Sequence, residues 1–143
     1  MIQCNGKLGY GMTMKRIQIK TQAIVKEAVL NDSVTAEAIW NALPIEGRVN
    51  RWGDEIYFSI PVKTPVESTA RDEVKVGDLA YWAPGKAFCI FWGPTPASHG
   101  NEPRAASPVN VFGQVFEDPE DFGDVENGAN IWIEAIYTSI PCR

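Results

Sequence analysis

The sequence predicts a mainly β fold, a small mixed or all-β barrel of about eight strands with one main helix and a short second helical turn. Three observations predict it. From Lys15 onward the dominant apolar period is two, as strands packed against a core require. A convincing helical period appears once, between Ala36 and Leu43. Turn-forming Gly, Pro, Asn and Asp divide the rest into short segments, with no internal repeat.

Residues 1–13 carry Gly6, Gly9 and Gly11, a single charge at Lys7 and no period. They lack the apolar stretch of a secretory signal. An expression leader or a misplaced start explains them, Met12 and Met14 each being a candidate initiator. They are expected to be an appendage, with the domain at 14–143. Arg16-Ile17-Gln18-Ile19-Lys20 then alternates as a half-buried strand. Residues 23–30 place Val25 and Val29 on one face and Ile24, Ala28 and Leu30 on the other, which suits a strand covered on both sides.

The helix is predicted over 33–43. Asn31-Asp32-Ser33 offers N-caps, Ala36, Ile39, Trp40 and Leu43 recur at i, i+3, i+4 and i+7, and Pro44 forbids continuation. At about ten residues it is too short to stand alone and long enough to plug one end of a barrel, with Ile39 and Leu43 buried. Strands follow at 47–52 and 55–60 around the Gly53-Asp54 turn. Val74-Lys75-Val76-Gly77-Asp78 leads into Leu79-Ala80-Tyr81-Trp82, and Ala83-Pro84-Gly85-Lys86 turns the chain into the apolar strand 87–92. Residues 109–116 and 131–137 complete the set.

Two stretches, 61–73 and 93–108, have no period. The second contains Pro94, Pro96, Pro103 and Pro108. Loops of this length bind something or decorate the surface. In Glu117-Asp118-Pro119-Glu120-Asp121-Phe122-Gly123-Asp124 the carboxylates do not fall in the calcium-loop register. The local reading is a short helical turn with Asp118 as N-cap, Pro119 at the first position, and Glu120 and Asp121 where the helix dipole favours negative charge. Asn127-Gly128 turns into the last strand.

With 143 residues, 45% of them hydrophobic and 22% charged, the chain can bury a core without staples. A net charge of −5 disfavours nucleic acid and anionic membranes as partners. No apolar run approaches the ~18–20 residues of a membrane span. Cys4, Cys89 and Cys142 are odd in number and far apart, so no disulfide framework is expected, and reduced thiols point to the cytoplasm. Cys89, inside Ala87-Phe88-Cys89-Ile90-Phe91-Trp92, reads as a small hydrophobe. His99 is the only histidine, which excludes a His-rich zinc site, and beside Ser98 it reads as an exposed loop residue. No metal or cofactor is implied.

Three blocks carry a resemblance: Arg51-Trp52-Gly53-Asp54-Glu55-Ile56-Tyr57-Phe58, Val76-Gly77-Asp78-Leu79-Ala80-Tyr81-Trp82-Ala83-Pro84-Gly85-Lys86-Ala87-Phe88-Cys89-Ile90-Phe91, and Gly93-Pro94-Thr95-Pro96. With its R-W-G and Y-W-x-P-G-K-A motifs, the chain from Lys15 to Tyr137 resembles a family of uncharacterised prokaryotic proteins with a cyclophilin-like fold. That resemblance implies a closed β-barrel. Val111-Phe112-Gly113-Gln114-Val115 is similar to the V-F-G-x-V strand of cyclophilins.

The resemblance also frames the chemistry. Prolyl isomerases of this fold use the arginine of an F-H-R-V motif, a Q-F-F strand, a loop tryptophan and a histidine before V-V-F-G. Here Arg48-Val49 lacks the preceding Phe-His, the Q-F-F position reads Lys86-Ala87-Phe88, the histidine position falls near Val109, and 93–108 has no tryptophan. The implied function is a binding domain that holds a peptide or small molecule in a surface groove without catalysis. Its candidate contacts are Arg51, Trp52, Tyr57, Phe58, Trp82 and Phe88. The alternative is a divergent peptidyl-prolyl cis-trans isomerase with Arg51, or less readily Arg48, as the cation on the twisted amide. Strand alternation should turn two or three of the six toward a pocket and the rest into the core. A homo-oligomer stays open, because Ile131-Trp132-Ile133 could face a partner.

Overall fold

Alternating segments become antiparallel strands, and the apolar side of each finds the same core. The structure, a computed structural model, describes residues 14–137. The appendage expected at 1–13, Cys4 and Cys142 lie outside the described residues. β1 (Arg16–Thr21) pairs with β2 (Ile24–Leu30) as a hairpin, with Ile17 and Ile19 fully buried. Helix α1 (Val34–Ala42) starts where Ser33 Oγ accepts the Ala36 N–H at 3.1 Å and stops at the Leu43-Pro44 step. It buries Ala36, Ile39 and Trp40. Leu43, expected to be buried, is only partly so, because the chain has left the helix at that residue and its backbone is extended.

β3 (Ile45–Arg48) and β4 (Asn50–Arg51) replace the single strand expected at 47–52, and β5 (Glu55–Ser59) returns antiparallel to β4. β6 (Arg71–Glu73) lies in a stretch without sequence period. β7 (Asp78–Trp82), a 3-10 turn (Ala83–Gly85) and β8 (Ala87–Phe91) form the next hairpin. β9 (Arg104–Val115) begins five residues before the expected 109. A second 3-10 turn (Pro119–Asp124) precedes β10 (Asn130–Ile136). Asp118 stands at its N-cap position with φ 49°, and its side chain makes no cap hydrogen bond.

The sheet follows the order β3-β10-β1-β2-β9-β7-β8-β5-β4, with β6 beside β9. The expected closed barrel of about eight strands is therefore corrected: among the described residues there are ten strands, and no ladder joins the two ends of the path. Those ends are consecutive pieces of chain separated by Val49. The Val49 N–H donates to Ala129 O at 2.9 Å, and its carbonyl accepts from the Gly128 N–H at 2.7 Å. The departure from regular pairing falls where one segment must serve β10 on one side and β5 on the other.

The sheet encloses a main core that includes Ile17, Ile19, Ile39, Phe58, Phe88 and Phe112. A second, smaller cluster lies on the other face of β5, β7 and β8 under β9, and includes Ala80, Cys89, Phe91 and Val109. That is why 87–91 reads as an uninterrupted apolar run: all five residues are buried.

Candidate functional site

The side chains of β5 divide between the two faces of the sheet. Ile56 and Phe58 enter the main core, while Tyr57 packs on the second cluster. The ladder aligns Tyr57 with Cys89 of β8, Cys89 with Ala80 of β7, and Ala80 with Val111 of β9. Above this row opens a cleft of about 260 Å³. Trp52, Tyr57 and Trp82 form its aromatic walls, Ala105, Ala106 and Val109 close the β9 side, and the buried Glu55 and Cys89 complete the lining.

Local chemistry explains how the walls are held. The Trp52 N–H donates to Glu55 O at 2.9 Å across the turn, where Gly53 adopts φ 65°. A Cβ on Gly53 would stand 2.8 Å from Thr95 Cα, and the Asp54 N–H donates to Pro94 O at 2.9 Å. The R-W-G-D and G-P-T-P blocks are thus two halves of one contact. In the second motif, Tyr81 donates its hydroxyl to Val62 O at 2.6 Å. The Trp82 ring lies against Gly85, where a Cβ would come within 2.9 Å of it, and its Nε1 donates to Ser107 Oγ at 2.7 Å. Lys86 turns the chain with φ 47°.

The loop ahead of β9 is tied down at several points. The Glu102 carboxylate accepts the His99 N–H at 2.7 Å, the Gly100 N–H at 2.9 Å and Arg104 Nε at 3.0 Å. These bonds, the His99 N–H first, hold its pKa down at about 2. Arg104 also meets Asp72 at 3.1 Å and Glu73 at 3.3 Å. His99 itself is exposed.

Glu55 is 4% exposed and Cys89 2%. Burial pushes the Glu55 carboxyl up to about 8, against a small opposing effect of a hydrogen bond with the Cys89 thiol. Burial, and then the Glu55 charge, push the Cys89 thiol well up. Cys89 is thus a buried thiol whose ionised form burial disfavours, in keeping with its apolar run. Glu55 carried no signal except its place two residues before Tyr57, on the same face of a strand.

Of the six sequence candidates, Trp52, Tyr57 and Trp82 line the cleft. Phe58 and Phe88 do not: both are fully buried in the main core, stacked with centroids 5.0 Å apart. Arg51 also lies off the cleft. Its Nε donates to Gly53 O at 2.6 Å and its Nη1 to Gly123 O at 2.9 Å, with the guanidinium 5.1 Å from the Trp92 ring centroid. Arg48 is exposed on β3. Ile131 and Ile133 point into the main core, leaving only Trp132 of that trio outward. No helix among the described residues is long and apolar enough to cross a membrane.

Residues 15–134 match the family model described as Cyclophilin-like. The solution structure of a hypothetical protein from Archaeoglobus fulgidus is similar to this chain, with a TM-score of 0.76 and 39% identity, covering 89% of this chain and 98% of that one. No curated protein matches. The family match, the archaeal relative and the packing of the R-W-G and Y-W-x-P-G-K-A blocks agree, and the chain belongs to the cyclophilin-like family.

Proposed function

We propose that the domain binds a small molecule, or one side chain of a peptide, in the cleft between β5 and β9, without catalysis. The observation that carries this reading is the cleft itself: three aromatic walls around a buried carboxyl. Apolar, aromatic clefts with a few convergent polar groups are the usual form of a ligand site. Its volume of about 260 Å³ suits a head group or a side-chain tip. Support for the absence of isomerase chemistry comes from the lining. No Arg, Lys or His is part of it, and Arg51 is held elsewhere by two carbonyl oxygens. A cleft without a cation to meet the twisted amide gives affinity without acceleration.

The test is amide and indole chemical-shift mapping against a fragment collection. Shifts should concentrate on Trp52, Tyr57, Trp82 and 105–109. Hits that map only elsewhere on the surface, or no hits, would remove the cleft as the site.

A further inference from the structure

The cleft is lined by a nearly fully buried carboxyl with no cation to answer it. Glu55 is 4% exposed, yet among the described residues it forms no ion pair. The polar side chain nearest it is the Cys89 thiol, a weak donor that also reaches Ala87 O at 3.8 Å. The titratable groups that share the cleft with it are the Cys89 thiol of β8 and the Tyr57 phenol of β5, and neither can carry a positive charge. A buried carboxylate without a partner is costly, so in the empty cleft the group keeps its proton. A bound cation would reverse that balance. Aromatic faces are themselves attractive to cations, the more so when desolvated.

We infer that the cleft receives the ammonium group of an organic amine, with Glu55 as its counter-ion and Trp52, Tyr57 and Trp82 as the aromatic wall. This rests on the binding reading above and names the ligand class for the same site. An anionic ligand would meet no positive side chain there, and a neutral apolar ligand would leave the carboxyl unused. The proton balance is explicit: neutral Glu55 and the ligand cation give a carboxylate–ammonium pair, and the Glu55 proton passes to solvent. The ammonium can come from a free amine or from the tip of a lysine on a peptide, since the cleft holds only the head group.

Calorimetry and tryptophan fluorescence at pH 7 test this with choline and its neutral isostere 3,3-dimethylbutan-1-ol. Choline should bind at least tenfold tighter than the isostere. Its heat should vary with the ionisation enthalpy of the buffer, reporting the released proton. Glu55→Gln should weaken choline at least tenfold and change the isostere by a much smaller factor. Comparing n-butylammonium with N-acetyl-lysine methylamide assigns the source: tighter binding of the second marks a peptide-borne ammonium, equal or weaker binding a free amine. An isostere that binds as tightly as choline would overturn the ammonium inference and leave the binding reading standing. Silence from every probe at 100 mM would overturn the ammonium inference, and the binding reading falls only if the fragment mapping is silent at the cleft as well.

Discussion

Glu55 and Cys89 sit diagonally across the β5–β8 ladder on the same face of the sheet, Cys89 being the cross-strand partner of Tyr57. They form an acid and a thiol that share one apolar floor, and burial favours the uncharged form of both.

The consequence for stability has a definite sign. The ordinary carboxyl value is 4.5 and the folded one about 8, so between them the unfolded chain loses a proton that the folded chain keeps. Stability is fully present below 4.5 and falls as pH rises toward 8. Glu55→Gln should flatten this slope, becoming more stable than the native protein at pH 8.5 with little gain at pH 4.5. Asp78, also raised by burial, acts with the same sign in both proteins. Urea midpoints at the two pH values check this, and parallel losses in the two proteins would refute it.

Ile39 is fully buried beneath α1, whereas Leu43 is partly covered. Ile39→Ala should cost ~2–5 kcal/mol in denaturant unfolding. Leu43→Ala should cost about 1–2 kcal/mol, since less apolar area returns to water. Equal losses would mean that the helix presents a different face.

Arg51 ties the β4–β5 turn to the second 3-10 turn through Gly53 O and Gly123 O. Arg51→Ala should lower stability by about 1–2 kcal/mol through those lost bonds. The native protein should give no acceleration in a proline-peptide isomerisation assay. Clear acceleration that vanishes in Arg51→Ala would restore the enzyme reading.

Gly85→Ala would drive a methyl against the Trp82 ring. The ring must then move away from Ser107, so the variant should lose cleft binding while keeping most of its stability. Unchanged binding of a probe seated in the cleft would show that Trp82 is not one of its walls.

Glu102 holds the backbone of His99 and Gly100. Glu102→Gln should speed hydrogen exchange at those two amides severalfold and leave the β7 amides unaffected. Exchange that stays as slow as in the native protein would show that the loop is held by other contacts.

Most strands and the helix were legible because each obeys one period over at least four residues. β6 and the first part of β9 were not. Pro108 argues against a strand, but here the chain at 104–109 has only the short, irregular β6 beside it and joins β7 from Asn110 onward, so a missing N–H is tolerated. The site was half legible. Alternation separates Tyr57 from Phe58 but does not say which face is open. That depends on β9 lying over the second cluster, a long-range placement that no local pattern announces. Alternation does not place Phe88 for the same reason: in a run apolar on both faces, period two carries no sign. Glu55 was overlooked because an acidic residue beside a turn reads as solvated.

The irregularity at Val49 gives residues 45–51 a double obligation. An inserted or deleted residue there would disturb the register of β3 against β10 or of β4 against β5, and within β3 it would turn Ile45 away from the core. Length variation among relatives should therefore avoid this heptapeptide and collect in the loops at 61–70 and 93–103, whose ends can absorb it. The count of residues between Pro44 and Trp52 is set by geometry on two sides at once.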